Sequence, residues 1–479
     1  MSKDFIVAIE LGSCKMTGIA GQKNLDGSIN VLAMVEEDSS SCIRKGVIYN
    51  IDKTCQCLKS IISKLKNILK QDITQVYVGV GGRSIRSTKN VIVKDLQNNT
   101  LVNQSMINEL MDINRNMTYP DQEILDMAPQ EYKIDSQYQI DPIGIQCNHI
   151  EGIFLNILWR KTFYNNINTC FENTHIAIAD MYLAPLAMAD VVLSDSEKRG
   201  GCLLVDIGAD TTTVLVYYKG ILRHISVIPL GSNNITKDLT CLQIEEQDAE
   251  KMKLKYAKAF TENNAIDSTL YYTIDKDRKV ESSKFIEIVE ARVEEIVQNA
   301  WNQVPKEYKE KLLGGIILTG GGSNMPEIDK VFKNFIPVNK VRIAKFINQA
   351  VTSKDPQINS HNGTQNTILG LLAKGDMSCA GAVINDNLFG EEEKPEEGAN
   401  RPPKKTGDTT GTGVVKTAEE KRRIEEEEKK KKEQEEEEKR KAAEEEAERQ
   451  AAEKREKSLV HKGIRFFKNF LKDAITEEE

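Results

Sequence analysis

Residues 203–220 read LLVDIGADTTTVLVYYKG. Two apolar, β-branched runs flank a short loop that holds Asp206, Gly208, Asp210, Thr211, Thr212 and Thr213, the pattern of strand, tight loop, strand. Glycine lets a backbone approach a bulky anion, and hydroxyls beside free N–H groups can hold one. An acid leading into such a loop would repel a bare phosphate, so its presence makes sense with a cation such as Mg²⁺ between them. The combination points to a nucleotide.

The same plan opens the chain. Phe5–Gly21, FIVAIELGSCKMTGIAG, runs from an apolar strand through Glu10-Leu11-Gly12-Ser13 into a second strand near Met16. Glu10 aligns with Asp206, Leu11 with Ile207 and Gly12 with Gly208 without a gap. Each hairpin continues into a third strand-like run, Ile29–Val35 and Ile221–Leu230. One acid-x-Gly hairpin is a common turn; two, each opening half of a chain, predict a duplicated α/β fold of two lobes around a cleft.

At 479 residues the chain is long enough for several domains, and 39% apolar with 29% charged residues reads as globular. Asp and Glu outnumber Lys and Arg by 73 to 65, so a net charge of −8 gives no support to nucleic-acid binding. Nine scattered cysteines without a CxxC pair read as free thiols in a reducing cytoplasm. A strand follows Met1 almost at once, where a signal peptide would have its apolar core, and no apolar run nears the roughly 20 residues of a spanning helix. Membrane contact is therefore expected to be peripheral.

In order, the spacing predicts a helix over Asp52–Lys70, a strand over Gln75–Val80, and a change of texture at 82–159. Alternating segments there, with a helix at Gln104–Asn116, predict a small α+β interaction module inserted in the first lobe. Helices are expected at Lys161–Glu172, Ala184–Leu193, Ile235–Leu242, Gln247–Ala259 and Ser283–Trp301, and strands at His175–Ala179 and Gly314–Leu318. Glu250 and Lys253, three apart on one helix, share a face; taken alone they read as an exposed ion pair. Asn263–Lys279 reads as a polar excursion. Thr319-Gly320-Gly321-Gly322-Ser323, ahead of a helix near Pro326, offers bare backbone to a flat or anionic group.

In order and spacing these motifs resemble the actin, heat-shock-chaperone and sugar-kinase ATPase superfamily. More closely they resemble the FtsA family of bacterial cell-division proteins, through AIELGSCK at 8–15, PQEYKID at 129–135, LVDIGADTTT at 204–213, LRHISVIPLGSNNIT at 222–236, AEKMK at 249–253, ILTGGGS at 317–323 and LGLL at 369–372. The resemblance implies an ATP-binding fold in which Gly12, Ser13 and Lys15 meet the β- and γ-phosphates from one lobe and Gly208, Thr211 and Thr212 from the other. Glu10 and Asp206 would hold Mg²⁺, Glu250 and Lys253 the ribose and adenine, and Gly320, Gly321, Gly322 and Ser323 would line the adenosine pocket. A lysine just past the first turn is independently suited to a phosphate. Ala209, Asp210 and Thr213 depart from the family's second hairpin, which is richer in glycine and ends in an acid. No residue stands out as a catalytic base, so slow hydrolysis at most is expected.

The domain reading is 1–81 with 160–195 for the first lobe, 82–159 for the inserted module, 196–380 for the second lobe, 381–457 for a charged linker and 458–479 for a tail. Residues 419–457 are almost all Glu, Lys, Arg and Ala; as a single helix they would span at most about 60 Å, without an apolar seam for a coiled coil. In Ser458–Ile475, Leu459, Val460, Ile464, Phe466, Phe467, Phe470, Leu471 and Ile475 fill roughly half a helical wheel. Lys462, Arg465, Lys468 and Lys472 take the other side, as in an interfacial helix on an anionic membrane. The resemblance gives such a tail the same role, and implies head-to-tail filaments at the division site on the cytoplasmic face of the membrane. It also implies docking of the FtsZ C-terminal peptide near the 285–301 helix, with Arg292 facing its acids. A pilus-assembly actin homologue and, further off, a small-molecule kinase are the alternatives.

Overall fold

The computed structural model describes residues 4–262, 266–267, 269–274 and 278–383. The charged linker and the tail, including Leu459, Val460, Lys462, Ile464, Arg465, Phe466, Phe467, Lys468, Phe470 and Leu471, lie outside the described residues.

Both hairpins form as the sequence predicts. Ile6–Leu11 pairs antiparallel with Lys15–Lys23, and Cys202–Ile207 with Thr212–Tyr218. Leu11 faces Met16 and Ile207 faces Thr212, so the two turns have the same length and their acids the same place, Glu10 opposite Thr17 and Asp206 opposite Thr213. Each first strand gains a parallel neighbour on its other side: Gln75–Val80 in one lobe, Gly315–Thr319 in the other. Glu10 thereby lies beside Gly79, and Asp206 beside Thr319. Carboxylates, turns and parallel-strand ends gather at one edge of each sheet, the usual place for a ligand in open α/β folds.

The first sheet has six strands, in the order Ala177–Leu183, Gln75–Val80, Ile6–Leu11, Lys15–Lys23, Ile29–Asp38, Val351–Thr352. The helix Ile51–Leu69 starts where Asn50 accepts the N–H of Lys53 at 3.0 Å, ends at a left-handed Lys70, and buries Leu58, Ile61, Ile62 and Leu65. His175 takes the same left-handed turn after the helix Lys161–Thr174, which moves the expected 175–179 strand on to 177–183.

The domain boundary expected at 380 changes. Val351–Thr352 pairs in parallel with Ile29–Asn30, Ala380–Val383 pairs with Gln71–Ile73, and the N–H of Cys379 donates to Phe5 at 2.8 Å. Helix Asn366–Lys374 buries Ile368, Leu369, Leu371 and Leu372 in the core shared with the first sheet. From about residue 351 the chain has returned to the first lobe, because its apolar face finds its counterpart there.

The inserted module has its own core, built on Ile107, Leu110, Tyr132, Ile150 and Phe154. Its strands are not an isolated sheet: through Arg86 opposite Ser226 they extend the second lobe's sheet to nine strands. That sheet packs helices Ser232–Leu239, Glu246–Tyr256 and Ser282–Asn302 on one face, around Phe285, Val289, Val293 and Phe332. The 263–279 excursion carries a short hairpin, Tyr271–Thr273 with Lys279–Glu281.

Candidate functional site at the interlobe cleft

Glu10 and Asp206 belong to opposite lobes and lie close enough for their charges to interact. Burial pushes the Glu10 carboxyl up to about 7, with the Asp206 charge adding to the rise and Lys15 opposing it. Burial alone pushes Asp206 to about 6. Two half-buried carboxylates near one another with little compensation are what a cation would relieve. No cluster of three or more His, Cys, Asp or Glu side chains suited to a metal occurs among the described residues. A divalent ion here would therefore draw on these two acids, with water or a ligand's oxygens completing its shell, a donor set that suits Mg²⁺.

The first turn is held from behind. Ser39 Oγ donates to the Gly12 carbonyl at 2.6 Å, and Ser13 Oγ accepts the Gly46 N–H at 2.8 Å. The second turn rests on the start of helix Ser232–Leu239, whose Ser232 and Asn233 N–H groups donate to Gly208 and Ala209 at 3.0 and 2.8 Å. Asp210 accepts the Lys45 N–H at 3.2 Å and an Asn233 amide proton at 3.0 Å. It thus joins the lobes instead of presenting an unpaired charge.

Not every nominated hydroxyl faces outward. Thr212 is buried and donates to the Leu230 carbonyl at 2.9 Å; Ser323 is buried and donates to Gly320 at 2.7 Å. Thr211 remains half-buried in the turn. Lys15 pairs with Glu36 rather than projecting alone.

The three glycines after strand Gly315–Thr319 divide their work. A Cβ on Gly320, whose φ is +82°, would lie 2.3 Å from an Asp206 carboxylate oxygen, and one on Gly322 2.3 Å from Ile207 Cγ2. These two let the loop close on the second hairpin. A Cβ on Gly321 would have only Thr364 nearby, at 3.8 Å, so this glycine borders open space. The chain then makes a short 3₁₀ turn, and the helix expected near Pro326 begins at Ile328 after a left-handed Glu327.

Glu250 and Lys253 are not the exposed pair that their spacing alone suggests. Lys253 is 6% exposed; its ammonium lies 2.7 Å from Glu250 and donates to Thr236 at 2.8 Å and to the Ser232 carbonyl at 3.2 Å. The pair ties helix Glu246–Tyr256 to the helix that supports the second turn. Arg292 forms a two-point contact with Asp238, the longer bond 3.1 Å, and also pairs with Glu295.

Sequence reading passed over Glu36, Gly231 and Asn366. Glu36 stands in an acidic run closing the third strand, and the hairpin register places it in the row of Glu10 and Thr17. A Cβ on Gly231 would lie 2.4 Å from the Ala209 carbonyl, so only glycine fits against the second turn. Buried Asn366 donates to Thr319 at 3.0 Å and to the Ala344 carbonyl at 2.9 Å, while its own amide oxygen has no partner.

Known proteins share both the sequence and the frame. A family model described as Cell division protein FtsA matches residues 203–363, and one described as SHS2 domain inserted in FTSA matches 82–158. The Cell division protein FtsA of Porphyromonas gingivalis is 31% identical over 389 residues, covering 79% of this chain and 80% of that protein. The chain belongs to the FtsA family of cell division proteins. The FtsA of Bacillus subtilis is 28% identical over 367 residues, 74% of this chain and 81% of the relative. A solved PilM-PilN type IV pilus biogenesis complex matches with a TM-score of 0.54 at 13% identity, over 77% of this chain and 97% of that one. At that identity the likeness shows the fold alone, the actin-like ATPase fold; the FtsA matches decide between division and pilus relatives. No helix among the described residues is long and apolar enough to cross a membrane.

Proposed function

We propose that the cleft binds ATP with Mg²⁺ and that the protein, as a member of a cell-division family, polymerises and tethers FtsZ to the cytoplasmic face of the membrane. The observation that carries the nucleotide reading is the matched pair of turns, each preceded by one half-buried carboxylate, the two close enough for their charges to interact. When bound, Mg²⁺ would neutralise phosphate charge between Glu10 and Asp206. Gly12, Ser13 and Gly208 supply turn backbone to the phosphates, with Thr211 adding a hydroxyl. Thr212 contributes by fixing the turn, since its hydroxyl is committed to Leu230. Gly321 opens the adenosine pocket that Gly320, Gly322 and Ser323 shape, and Glu250 with Lys253 forms its opposite wall. Asp210, already engaged on both oxygens, leaves the turn without a free carboxylate to orient water, which supports binding ahead of fast turnover.

Calorimetry decides the nucleotide reading: Mg·ATP should bind the wild-type chain, and Asp206→Ala should lose most of that affinity. Undiminished binding in the variant would remove Asp206 from the site. The tether reading supposes that Ser458–Ile475 binds anionic bilayer and that Arg292 exchanges Asp238 for an acidic residue of the FtsZ tail. Co-sedimentation with anionic vesicles should vanish when Ser458–Glu479 is deleted, and Arg292→Glu should weaken binding of an FtsZ C-terminal peptide. Retention of either interaction would refute the corresponding claim.

A further inference from the structure

Lys15 closes the first turn in sequence, and its ammonium is committed to another carboxylate, Glu36. In the sheet, Lys15 faces Asp38, while Thr17 stands between Glu10 and Glu36 in one cross-strand row. Residues i and i+2 of a strand share a face, so Lys15 and this row lie on the same side. The ammonium reaches back toward the row and pairs with Glu36. Its charge also acts on Glu10, so the ammonium sits between the Glu36 carboxylate and the metal-facing acid.

Glu36 is itself held by the segment that returns to the first lobe. Gln365, 4% exposed, donates to it at 3.3 Å. The Gln357 side-chain amide lies 3.0 and 3.2 Å from the two Glu36 oxygens; only the nitrogen end can meet a carboxylate favourably, so Gln357 is assigned as a donor there. Both glutamines belong to the segment 355–366, whose Thr364 lies against Gly321 and whose Asn366 is bonded to Thr319. One short segment thus touches the partner of the phosphate-side lysine and the loop of the adenosine side. A cavity of about 380 Å³, lined by Lys15, Glu36, Gln357, Thr364 and Gln365 among others, lies against the pair. The lysine side chain is 38% exposed. It has room to move.

We propose that Lys15 is shared between two competing anions, Glu36 in the empty cleft and nucleotide phosphate in the filled one. Glu36 is then a positioning residue that sets nucleotide affinity and signals occupancy to segment 355–366. This rests on the nucleotide reading of the cleft. Phosphate must draw the ammonium from its carboxylate, and when it does, Glu36 is left to Gln357 and Gln365 alone. The competition concerns phosphate only, so a ligand without phosphate is indifferent to it.

The test uses the full chain, with calorimetry and ligand-induced melting shifts for Mg·ADP, Mg·ATP and adenosine. Glu36→Gln frees Lys15 and should tighten both nucleotides about fivefold, the measure of a partly exposed ion pair. Adenosine affinity should stay at the wild-type value, and Lys15→Gln added to Glu36→Gln should erase the gain. Glu36→Asp, which keeps the charge but draws it back by one methylene, should fall between wild type and Glu36→Gln. This graded order holds the test open if one variant folds poorly. Nucleotide affinity at or below wild type in both Glu36 variants, or a gain that survives loss of Lys15, overturns the competition. A wild-type chain that binds adenosine and both nucleotides without any gain in the variants fails this inference alone. One that binds none, with no gain in the variants, fails the cleft reading and this inference together.

Discussion

Glu10 carries a charge in a place that resists it. Its carboxyl titrates near 7, above the usual 4.5, so the folded state prefers it neutral. The resulting destabilisation is absent below pH 4.5, grows as pH rises, and is complete above about 7. The Glu10→Gln variant should therefore melt several degrees above wild type at pH 8 without ligand, the gap closing toward pH 5. The same variant should lose the added affinity that Mg²⁺ gives to ATP, since one of two metal-facing acids is gone. Scanning calorimetry against pH checks the first outcome; a variant that melts below wild type at pH 8 would refute it. The glycines beyond Thr319 give a second contrast. Gly320→Ala drives a methyl into Asp206 at a φ of +82° and should cost about 2 kcal/mol or more of stability. Gly321→Asp places its side chain in open space, so it should fold near the wild-type melting temperature and weaken ATP through charge. Urea unfolding of the two variants should show the loss in Gly320→Ala only.

Helix Asp195–Gly200 shows how a short element can hold a lobe together. Ser194 and Glu197 form a reciprocal cap, and Glu197 also accepts Arg342 from strand Val341–Ile343 at 2.7 and 2.9 Å. Burial alone would raise this carboxyl, but Arg342 and Ser194 outweigh it and hold it at about 2. The depressed value stabilises the fold fully above about pH 4.5 and ceases to do so as pH falls through 2. Glu197→Gln should thus lose about 3 kcal/mol at pH 7, with the difference from wild type shrinking below pH 4.5; denaturant titrations at pH 7 and 3.5 would show it. Elements of this size were legible where local signals suffice. The three-four spacing placed helix Ile51–Leu69 to within a residue at each end, and the gapless alignment of Glu10 with Asp206 placed both turns. The return of Val351–Thr352 to Ile29–Asn30 was not legible, because a two-residue strand is specified by its partner more than by itself. Hydroxyl direction in a turn was equally hidden: Thr211 and Thr212 are adjacent and alike, yet only Thr212 meets the Leu230 carbonyl. Lys253 looked exposed because nothing in its own helix announces that Thr236 and Ser232 cover it.

At the scale of the molecule, the inserted module belongs to both lobes. It leaves the first lobe at Gly82, where Gly46 and Gly82 approach so closely that a Cβ on either would fall within 2.6 Å of the other's backbone. Gly46 also bonds Ser13, and Lys45 bonds Asp210, so this root touches both turns of the cleft. Further out, the module is joined to the second lobe by a polar seam. Arg223, 5% exposed, donates to Glu131 at 2.9 Å and Gln130 at 3.3 Å; Gln130 donates to the Leu222 carbonyl at 2.8 Å; Ser87 exchanges bonds with Ile225, both at 3.0 Å. A body covalently rooted in one lobe and hydrogen-bonded to the other must feel any change in the angle between them. Buried polar contacts of this kind favour one arrangement over its neighbours, because each misfit leaves an unpaired group away from water. Arg223→Met keeps much of the side-chain volume and leaves Glu131 with only Lys219, 4.0 Å away. Hydrogen exchange should then quicken along Gln122–Ile134 and Ile221–Ile228, while amides around the module's own core at Leu110, Ile150 and Phe154 keep their protection. If lobe closure bears on the module through the seam, Mg·ATP should slow exchange in those two strands in the wild type and have little effect on them in Arg223→Met. Equal ligand-induced protection in both proteins would mean that the root at Gly46 and Gly82 alone carries the cleft's state to the module.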